Sequence, residues 1–350
     1  MHIPTTRLGR SLQLLTTPSA IFSSLIADIQ RARESIDLEY YIFADDRTGR
    51  LFARLIGRKA RQGLRVRLIT DGYGSRAMPR ALRRRLEADG VELSTHPLLG
   101  HSRYHRKMAV IDNRIAHVGG INIADRYVVG NNLGVWHDAQ LRIVGGAVIA
   151  VVRLFDYDYM MSEGISCGQP MSAGRNSLRV VWSEASGGRA MVELLQQLVA
   201  ETHTSLTFTT PYFMPPRRVV ALLASAVRRG VDVSVIIPER CDIWILDDII
   251  RHRILEAMRA GIDVRICRNA FVHAKLAISD NRRVVVGSAN LDARSIYINR
   301  ELMVQTSNAG VVADAKEFIN RLLALSTPPT SYDTRCHLPS LLSRPFEHLL

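Results

Sequence analysis

The 350-residue sequence predicts an α/β protein of two similar lobes, each a mostly parallel or mixed sheet flanked by helices, with the working site at a pseudo-twofold interface between them. Three observations predict it. First, His105-x-Lys107 with Asp112 recurs 168 residues later as His273-x-Lys275 with Asp280, and an asparagine follows each histidine by 17 residues, Asn122 and Asn290. One His-x-Lys pair means little in a chain with 11 histidines and 46 basic residues, whereas a duplicated multi-feature pattern is specific. Second, residues 36–71 and 206–239 both read strand, helix, strand, with "KARQGLRVRLITD" answering "AVRRGVDVSVIIPE". Third, a Gly/Ser-containing stretch at 162–177 separates the two copies. The expected organisation is therefore a lobe at 1–165, a lobe at 175–325 and a tail at 326–350, which holds a short apolar helix.

Taken in order, residues 1–36 are apolar in tendency but interrupted by Pro18, Asp28 and Arg31, and they predict an amphipathic first helix. No stretch reaches the ~18 apolar residues of a membrane span, and the segment does not read as a signal peptide. The strand–helix–strand unit follows, with Tyr40-Tyr41 at a strand end facing the cavity. Asp45-Asp46 reads as a loop and helix entry. "YHRKMAVIDNRIAHVGGIN" and "VHAKLAISDNRRVVVGSAN" each read as strand, tight turn, strand. Alternation puts histidine and lysine on one strand face and Met108, Val110, Leu276 and Ile278 on the other, toward the core. Asp112-Asn113-Arg114 and Asp280-Asn281-Arg282 supply turn chemistry. The second strands end in Gly119-Gly120 and Gly287-Ser288, small residues that permit close backbone approach. Asn122 and Asn290 then stand where a helix is expected to begin, which favours an anion. Pro211-Tyr212-Phe213 mirrors the tyrosine-bearing strand end of the first copy.

Two histidines, two lysines and two asparagines around one cavity suit phosphodiester chemistry. The lysines and asparagines hold phosphate oxygens. One neutral imidazole, with a reference pKa near 6.5, attacks phosphorus, and the other serves as general acid and then base. Lys107 and Lys275 supply the charge stabilisation a metal would otherwise give, so no metal or cofactor is expected. A buried lysine and histidine on one strand face would destabilise the fold unless used.

These motifs resemble the two-motif phospholipase D superfamily, and "HRKMAVIDNRIAHVGGINIADRY" with "VGSANLDARSIYINRELMV" is similar to its bacterial cardiolipin synthase branch. The resemblance covers roughly residues 10 to 305. It implies two phospholipase D-like lobes packed side by side and a catalytic set of His105, Lys107, Asp112, His273, Lys275 and Asp280. Within that set the aspartates' work is structural: they hold the turns. It implies His105 as nucleophile and His273 as acid/base, with each histidine oriented by a downstream carboxylate, Asp138 in "WHDAQLRI" and Glu301 in "NRELMV". Asn122 and Asn290 join the phosphate-binding groups. The implied reaction joins two phosphatidylglycerol molecules to cardiolipin plus glycerol through a phosphohistidine. The alternatives are hydrolysis by the same machinery, as a phospholipase D, or a nuclease of the same superfamily. Many cardiolipin synthases carry two N-terminal transmembrane helices that this sequence lacks, so the expected place is cytoplasmic, peripheral on the inner membrane.

The net charge of +13 favours an anionic partner, lipid surface or nucleic acid, without choosing between them. Basic residues crowd Arg58–Arg67 and Arg83–Arg85, both expected on helices with solvated faces. Phosphatidylglycerol is the expected substrate and nucleic acid the less favoured partner; oligomeric state is open. Cys167, Cys241, Cys267 and Cys336 lack the spacing of a zinc site or a disulfide framework. His117 reads as a packed strand residue, His101 and His252 as surface residues, and His137 as an incidental neighbour of Asp138. Trp136 and Trp182 receive no assignment.

Overall fold

The computed structural model describes residues 11–96, 102–168, 174–175, 178–185, 189–243, 246–331 and 334. His101, Cys336 and most of the tail lie outside the described residues. Strand β1 (Leu12–Leu15) leads into helix α1 (Pro18–Arg31), where the Thr17 hydroxyl accepts from Ala20 N at 3.3 Å. Pro18 starts this helix rather than interrupting it, because the first helical position needs no amide hydrogen. Asp28 is buried on the same helix, within 2.8 Å of His117 Nε2 and 2.7 Å of Arg142 Nε. Burial alone would raise its pKa, but the hydrogen bonds from His117 and Arg142 hold it down to about 2. His117 is thus a packed strand residue with a structural partner.

Lobe one continues through β2 (Ser35–Tyr40), α2 (Arg47–Arg61), β3 (Arg65–Asp71), α3 (Arg80–Ala88), β4 (Glu92–His96), β5 (Lys107–Ile111), β6 (Ile115–Gly119), α4 (Arg126–Val129), β7 (Val135–His137) and β8 (Gln140–Val144). Its sheet runs β1-β8-β6-β5-β2-β3-β4. Helix α5 (Ile149–Ser162) crosses to lobe two. There follow β9 (Gly174–Arg175), β10 (Leu178–Trp182), α6 (Arg189–Ala200), β11 (Ser205–Thr209), α7 (Arg217–Arg228), β12 (Asp232–Pro238), α8 (Asp247–Arg259), β13 (Asp263–Cys267), β14 (Ala270–Val272), β15 (Lys275–Ser279), β16 (Arg283–Gly287), α9 (Ala293–Tyr297), β17 (Leu302–Thr306), α10 (Ala309–Ala324) and β18 (Ser326–Thr327). Set aside edge strands β9 and β18, and the second sheet, β10-β17-β16-β15-β11-β12-β13, repeats the first strand for strand.

Each sheet is mixed rather than mostly parallel. Only β2-β3-β4 and β11-β12-β13 run parallel, because those links are helical crossovers. The hairpins must pair antiparallel, and their turns close with both central residues at positive φ: Asp112 at 51° and Asn113 at 53°, Asp280 at 51° and Asn281 at 52°. Asp-Asn tolerates that geometry, and each turn is closed by a backbone bond, Arg114 N to Ile111 O at 3.0 Å and Arg282 N to Ser279 O at 2.9 Å. Arg65 and Arg67 lie on β3, not on a helix as expected, and Arg67 is buried against Asp37 at 2.7 Å. The Asp46 side chain caps α2 by accepting from Gly49 N at 2.9 Å, the loop-and-helix-entry reading of that pair.

The sheets face each other across one shared core. Met108, Val110, Val118 and Leu141 of lobe one meet Leu276, Ile278, Val286 and Val304 of lobe two, closed by Phe155 on α5 and Phe318 on α10. Burying each large side chain of this set contributes about 1.5–3 kcal/mol. Separate cores lie outside each sheet, under α1–α3 and under α6–α8. β5 and β15 are buried on both faces, so the lysines that begin them are buried too.

Candidate active site

Strand β5 begins at Lys107 and β15 at Lys275, so each histidine lies in the segment just entering its strand. Neither segment ends within its own lobe's hydrogen bonding. His105 N donates to Arg300 O at 3.0 Å, and His273 N donates to His137 O at 2.8 Å. Strand β14 runs parallel to β7, and Tyr104 bridges to Arg300. Each histidine is therefore laid beside the carboxylate of the opposite lobe. His105 Nδ1 is 2.9 and 3.0 Å from the two Glu301 carboxylate oxygens, and His273 Nδ1 is 2.5 Å from Asp138 Oδ2. The pairing expected from sequence order, each histidine with the next carboxylate downstream, is crossed. The crossing follows from the two inter-lobe strand contacts, which join residues too far apart in sequence to be read locally.

With Nδ1 held by a carboxylate, Nε2 is the ring nitrogen left for chemistry in both half-sites. The lysines sit against the histidines: Lys275 Nζ donates to His273 O at 2.6 Å and lies 3.0 Å from both ring nitrogens, and Lys107 Nζ donates to His105 O. Burial pushes Lys275 down to about 8, and burial together with the charge of Lys275 pushes Lys107 well below the ordinary lysine value. The Asp138 and Glu301 carboxylates oppose that shift without cancelling it. Burial and then the charge of Lys275 push His273 down to about 3, although Asp138 pulls the other way. Burial lowers His105 as well, against the pull of Glu301. Lys275 acts on His105 and Lys107 on His273, which places both half-sites in one electrostatic field. Both imidazoles are thus pushed toward the neutral form beside a positive centre.

The aspartates of the motif are elsewhere. Asp112 accepts from the amides of Arg33, Glu34 and Ser35 at 2.7–3.1 Å, and Asp280 from those of His203, Thr204 and Ser205 at 2.7–3.2 Å. Each pins its hairpin turn to the start of the neighbouring strand. These bonds hold the turns, and no hydrogen bond joins either aspartate to His105 or His273. The asparagines lie three to four residues before α4 and α9, not at the helix starts, which begin at Arg126 and Ala293. Asn122 is largely committed: its carbonyl accepts from Ile42 N at 3.0 Å and its amide donates to Tyr127 Oη at 2.6 Å, leaving one N–H. Asn290 is buried with its carbonyl oxygen unpartnered. The glycines fit tightly, as a Cβ on Gly120 would meet Asp138 Oδ1 at 2.4 Å. Ser288, the counterpart of Gly120, instead donates to Glu301 Oε2 at 2.5 Å.

Arg106, Arg300, Glu39 and Trp136 escaped sequence reasoning. Arg106 is fully buried; alternation turns it from the His/Lys face to the inter-lobe face, and it pairs with Asp158 and with Glu184 at 2.7 Å. Arg300 reaches the same two carboxylates, at 3.3 and 2.6 Å. Two arginines that flank His105 and Glu301 are thus locked side by side by α5 and the segment after β10. Buried Glu39 lies alongside; burial, then the charge of Asp158, raises its pKa well above the carboxylate range. The signal was an arginine in "YHRKMAV" where "VHAKLAI" has alanine. Trp136 packs 5.1 Å from His273 with Tyr127 at 5.2 Å, and its clue was its same-face spacing from Asp138. Tyr41 stands edge-on to His105 at 5.0 Å, whereas Tyr40 and Phe213 are core residues and Tyr212 Oη donates to Asp242 at 2.7 Å.

Among the described residues no group of three or more His, Cys, Asp or Glu side chains is placed to hold a metal ion, and Cys167, Cys241 and Cys267 are free thiols. No helix among them is long and apolar enough to cross a membrane. The family described as "Cardiolipin synthase, PLD-like domain" matches residues 25–142 and 195–323, one span per lobe. The cardiolipin synthase of Geobacillus kaustophilus is 32% identical over 316 residues, 84% of this chain and 62% of that protein. That of Oceanobacillus iheyensis is 30% identical over 332 residues, 90% of this chain and 67% of that protein. The chain thus spans under two thirds of the first relative's length. The phosphatidylserine synthase of Haemophilus influenzae has the same fold, with a TM-score of 0.77 at 16% identity over 97% of this chain and 92% of that one.

Proposed function

The chain belongs to the cardiolipin synthase, PLD-like domain family, and from that premise we propose that it is a phosphatidyltransferase joining two phosphatidylglycerol molecules into cardiolipin plus glycerol. The observation that carries this is the crossed pair of carboxylate–histidine contacts with two buried lysines between them. His105 Nε2 attacks phosphorus as His273 protonates the departing glycerol oxygen. A second lipid's hydroxyl oxygen then forms the new P–O bond while the P–N bond breaks, its proton passing to His273. The anionic diester offsets the lysine charge that holds His273 neutral, so substrate arrival favours the imidazolium the first step needs. Lys107, Lys275, Asn290 and the remaining Asn122 N–H are the phosphate contacts. His105 is the proposed nucleophile: its side chain is 14% exposed against 6% for His273, and the Arg106–Asp158 network braces its backbone. The charge of +13 supports peripheral docking on an anionic, cytoplasm-facing membrane surface.

The test is mass spectrometry of products from phosphatidylglycerol vesicles incubated with the purified protein or its His105→Ala variant. Cardiolipin and glycerol, lost in the variant by a factor of about 10³ or more, is the expected result. Phosphatidic acid alone would make the protein a hydrolase, and no lipid turnover would bring a nucleic-acid substrate forward.

A further inference from the structure

Arg126 follows Asn122 by four residues, on the short turn of α4. Its guanidinium carbon lies 5.4 Å from the centre of the Tyr127 ring and 5.5 Å from that of Trp136. Those two rings are the ones packed on His273, so a permanent cation stands one aromatic ring away from that histidine. Its Nε is buried without a hydrogen-bond partner, and no carboxylate of the described residues comes within 4.0 Å of its nitrogens. Burial works against its charge, which the Tyr127 hydroxyl and then Asp242 favour, but that hydroxyl is neutral and Asp242 is already bound to Tyr212 Oη. Elsewhere this chain closes its buried arginines with carboxylates: Arg67 with Asp37, Arg106 with Asp158, Arg142 with Asp28 and Arg300 with Glu184. A half-sequestered guanidinium left open is unfavourable unless its counter-ion arrives with a ligand.

The position says which ligand. In an in-line displacement the entering and leaving oxygens lie opposite the attacking nitrogen. With His105 attacking, that is the side of His273, Trp136 and Tyr127. In the first step the departing glycerol there is neutral. In the second step a water or a simple alcohol would be neutral as well, but the glycerol of an incoming phosphatidylglycerol carries its own phosphodiester at its far end. We propose that Arg126 binds the phosphodiester of the acceptor lipid, forming a subsite that selects a phosphate-bearing alcohol over water and neutral alcohols. The inference rests on the transferase reading above and on His105 as nucleophile. Planar guanidinium with donors along one edge suits a diester, and the aromatic faces hold it flat while leaving that edge open.

Ethanol separates the two steps, because it can capture the same phosphohistidine without needing a phosphate contact. Vesicles of phosphatidylglycerol with added ethanol are incubated with the wild-type protein, Arg126→Gln and Arg126→Lys, and cardiolipin and phosphatidylethanol are quantified together. Losing one charge-assisted contact to the acceptor lowers the cardiolipin-to-phosphatidylethanol ratio in Arg126→Gln by about ten- to a hundredfold. Phosphatidylethanol output stays near the wild-type level, and Arg126→Lys gives an intermediate ratio. An unchanged ratio, or a parallel loss of both products, overturns the assignment. A second arm needs no variant: the wild type is offered glycerophosphoglycerol and glycerol as competing soluble acceptors. Preference for the phosphate-bearing one is expected, and equal use overturns the proposal. A wild type that forms no phosphatidyl product from any acceptor would instead bring down the transferase reading, and the subsite with it.

Discussion

The two half-sites are built on one plan and finished differently. Around His105, apart from the Tyr41 ring, the walls are charged: Glu301 is shared with Ser288, and behind it Arg106 and Arg300 share Asp158 and Glu184. Around His273 they are aromatic: Trp136, Tyr127 and, further back, Phe271 at 6.2 Å, with Ala274 and His137 where the first half-site has the two arginines. Charged partners fix a backbone through directional bonds, whereas rings exclude water and hold an imidazole neutral. The contrast fits the proposed division between a histidine that is covalently modified in place and one that passes protons beside an exchanging alcohol. A duplicated fold can therefore keep its hairpins and diverge only in what surrounds them.

The largest effect should come from the carboxylates. Glu301→Gln and Asp138→Asn each remove the anion that orients an imidazole, and turnover of phosphatidylglycerol should fall by about 10²–10⁴-fold. If His105 is the nucleophile, Asp138→Asn should still allow some phosphatidyl adduct on His105, detectable by intact-mass measurement, and Glu301→Gln should not. Adduct on the peptide carrying His273 would invert the comparison.

Next comes the charged wall itself. Asp158→Asn leaves Arg106 and Arg300 buried with only Glu184 between them, and a broken buried pair is worth about 3–5 kcal/mol. Chemical denaturation should show a loss of that order. A variant as stable as the wild type would mean that the arginines are no more constrained than Ala274 and His137 opposite.

The smallest effect sharpens the aromatic side. His273 sits at about 3 in the fold, so between its ordinary value near 6.5 and that figure the unfolded chain takes up a proton that the folded chain refuses. Stability is therefore lost as pH falls through this window, by about 2 kcal/mol between pH 7 and pH 5 from this one residue. The His273→Gln variant should lack that share. Equal pH slopes for the two proteins would show that His273 is not held neutral.

Local pattern made the His-x-Lys hairpins legible. His105 and Lys107 share a strand face because the period is two, and Asp112-Asn113 closes a turn because those side chains accept positive φ. The same alternation also put Arg106 on the inter-lobe face, but what it meets there could not be read, since Asp158, Glu184 and Glu301 are all distant in sequence. Pro18 misled because a proline interrupts a helix only in its interior, and the start of α1 is set by Thr17. Arg65 and Arg67 misled because a run of basic residues crosses from α2 into β3 without a change of composition.

By itself the sequence determined two copies of a His-x-Lys hairpin, the α/β lobes that hold them and a chemistry aimed at phosphodiesters, because spacing and periodicity are local. Only the tertiary structure decided which carboxylate serves which histidine, which half-site is charged and which aromatic, and that Arg126 has no carboxylate partner among the described residues. Those outcomes depend on the two sheets packing face to face, which brings β7 to β14 and Tyr104 to Arg300, and no local pattern encodes a contact between residues more than a hundred positions apart.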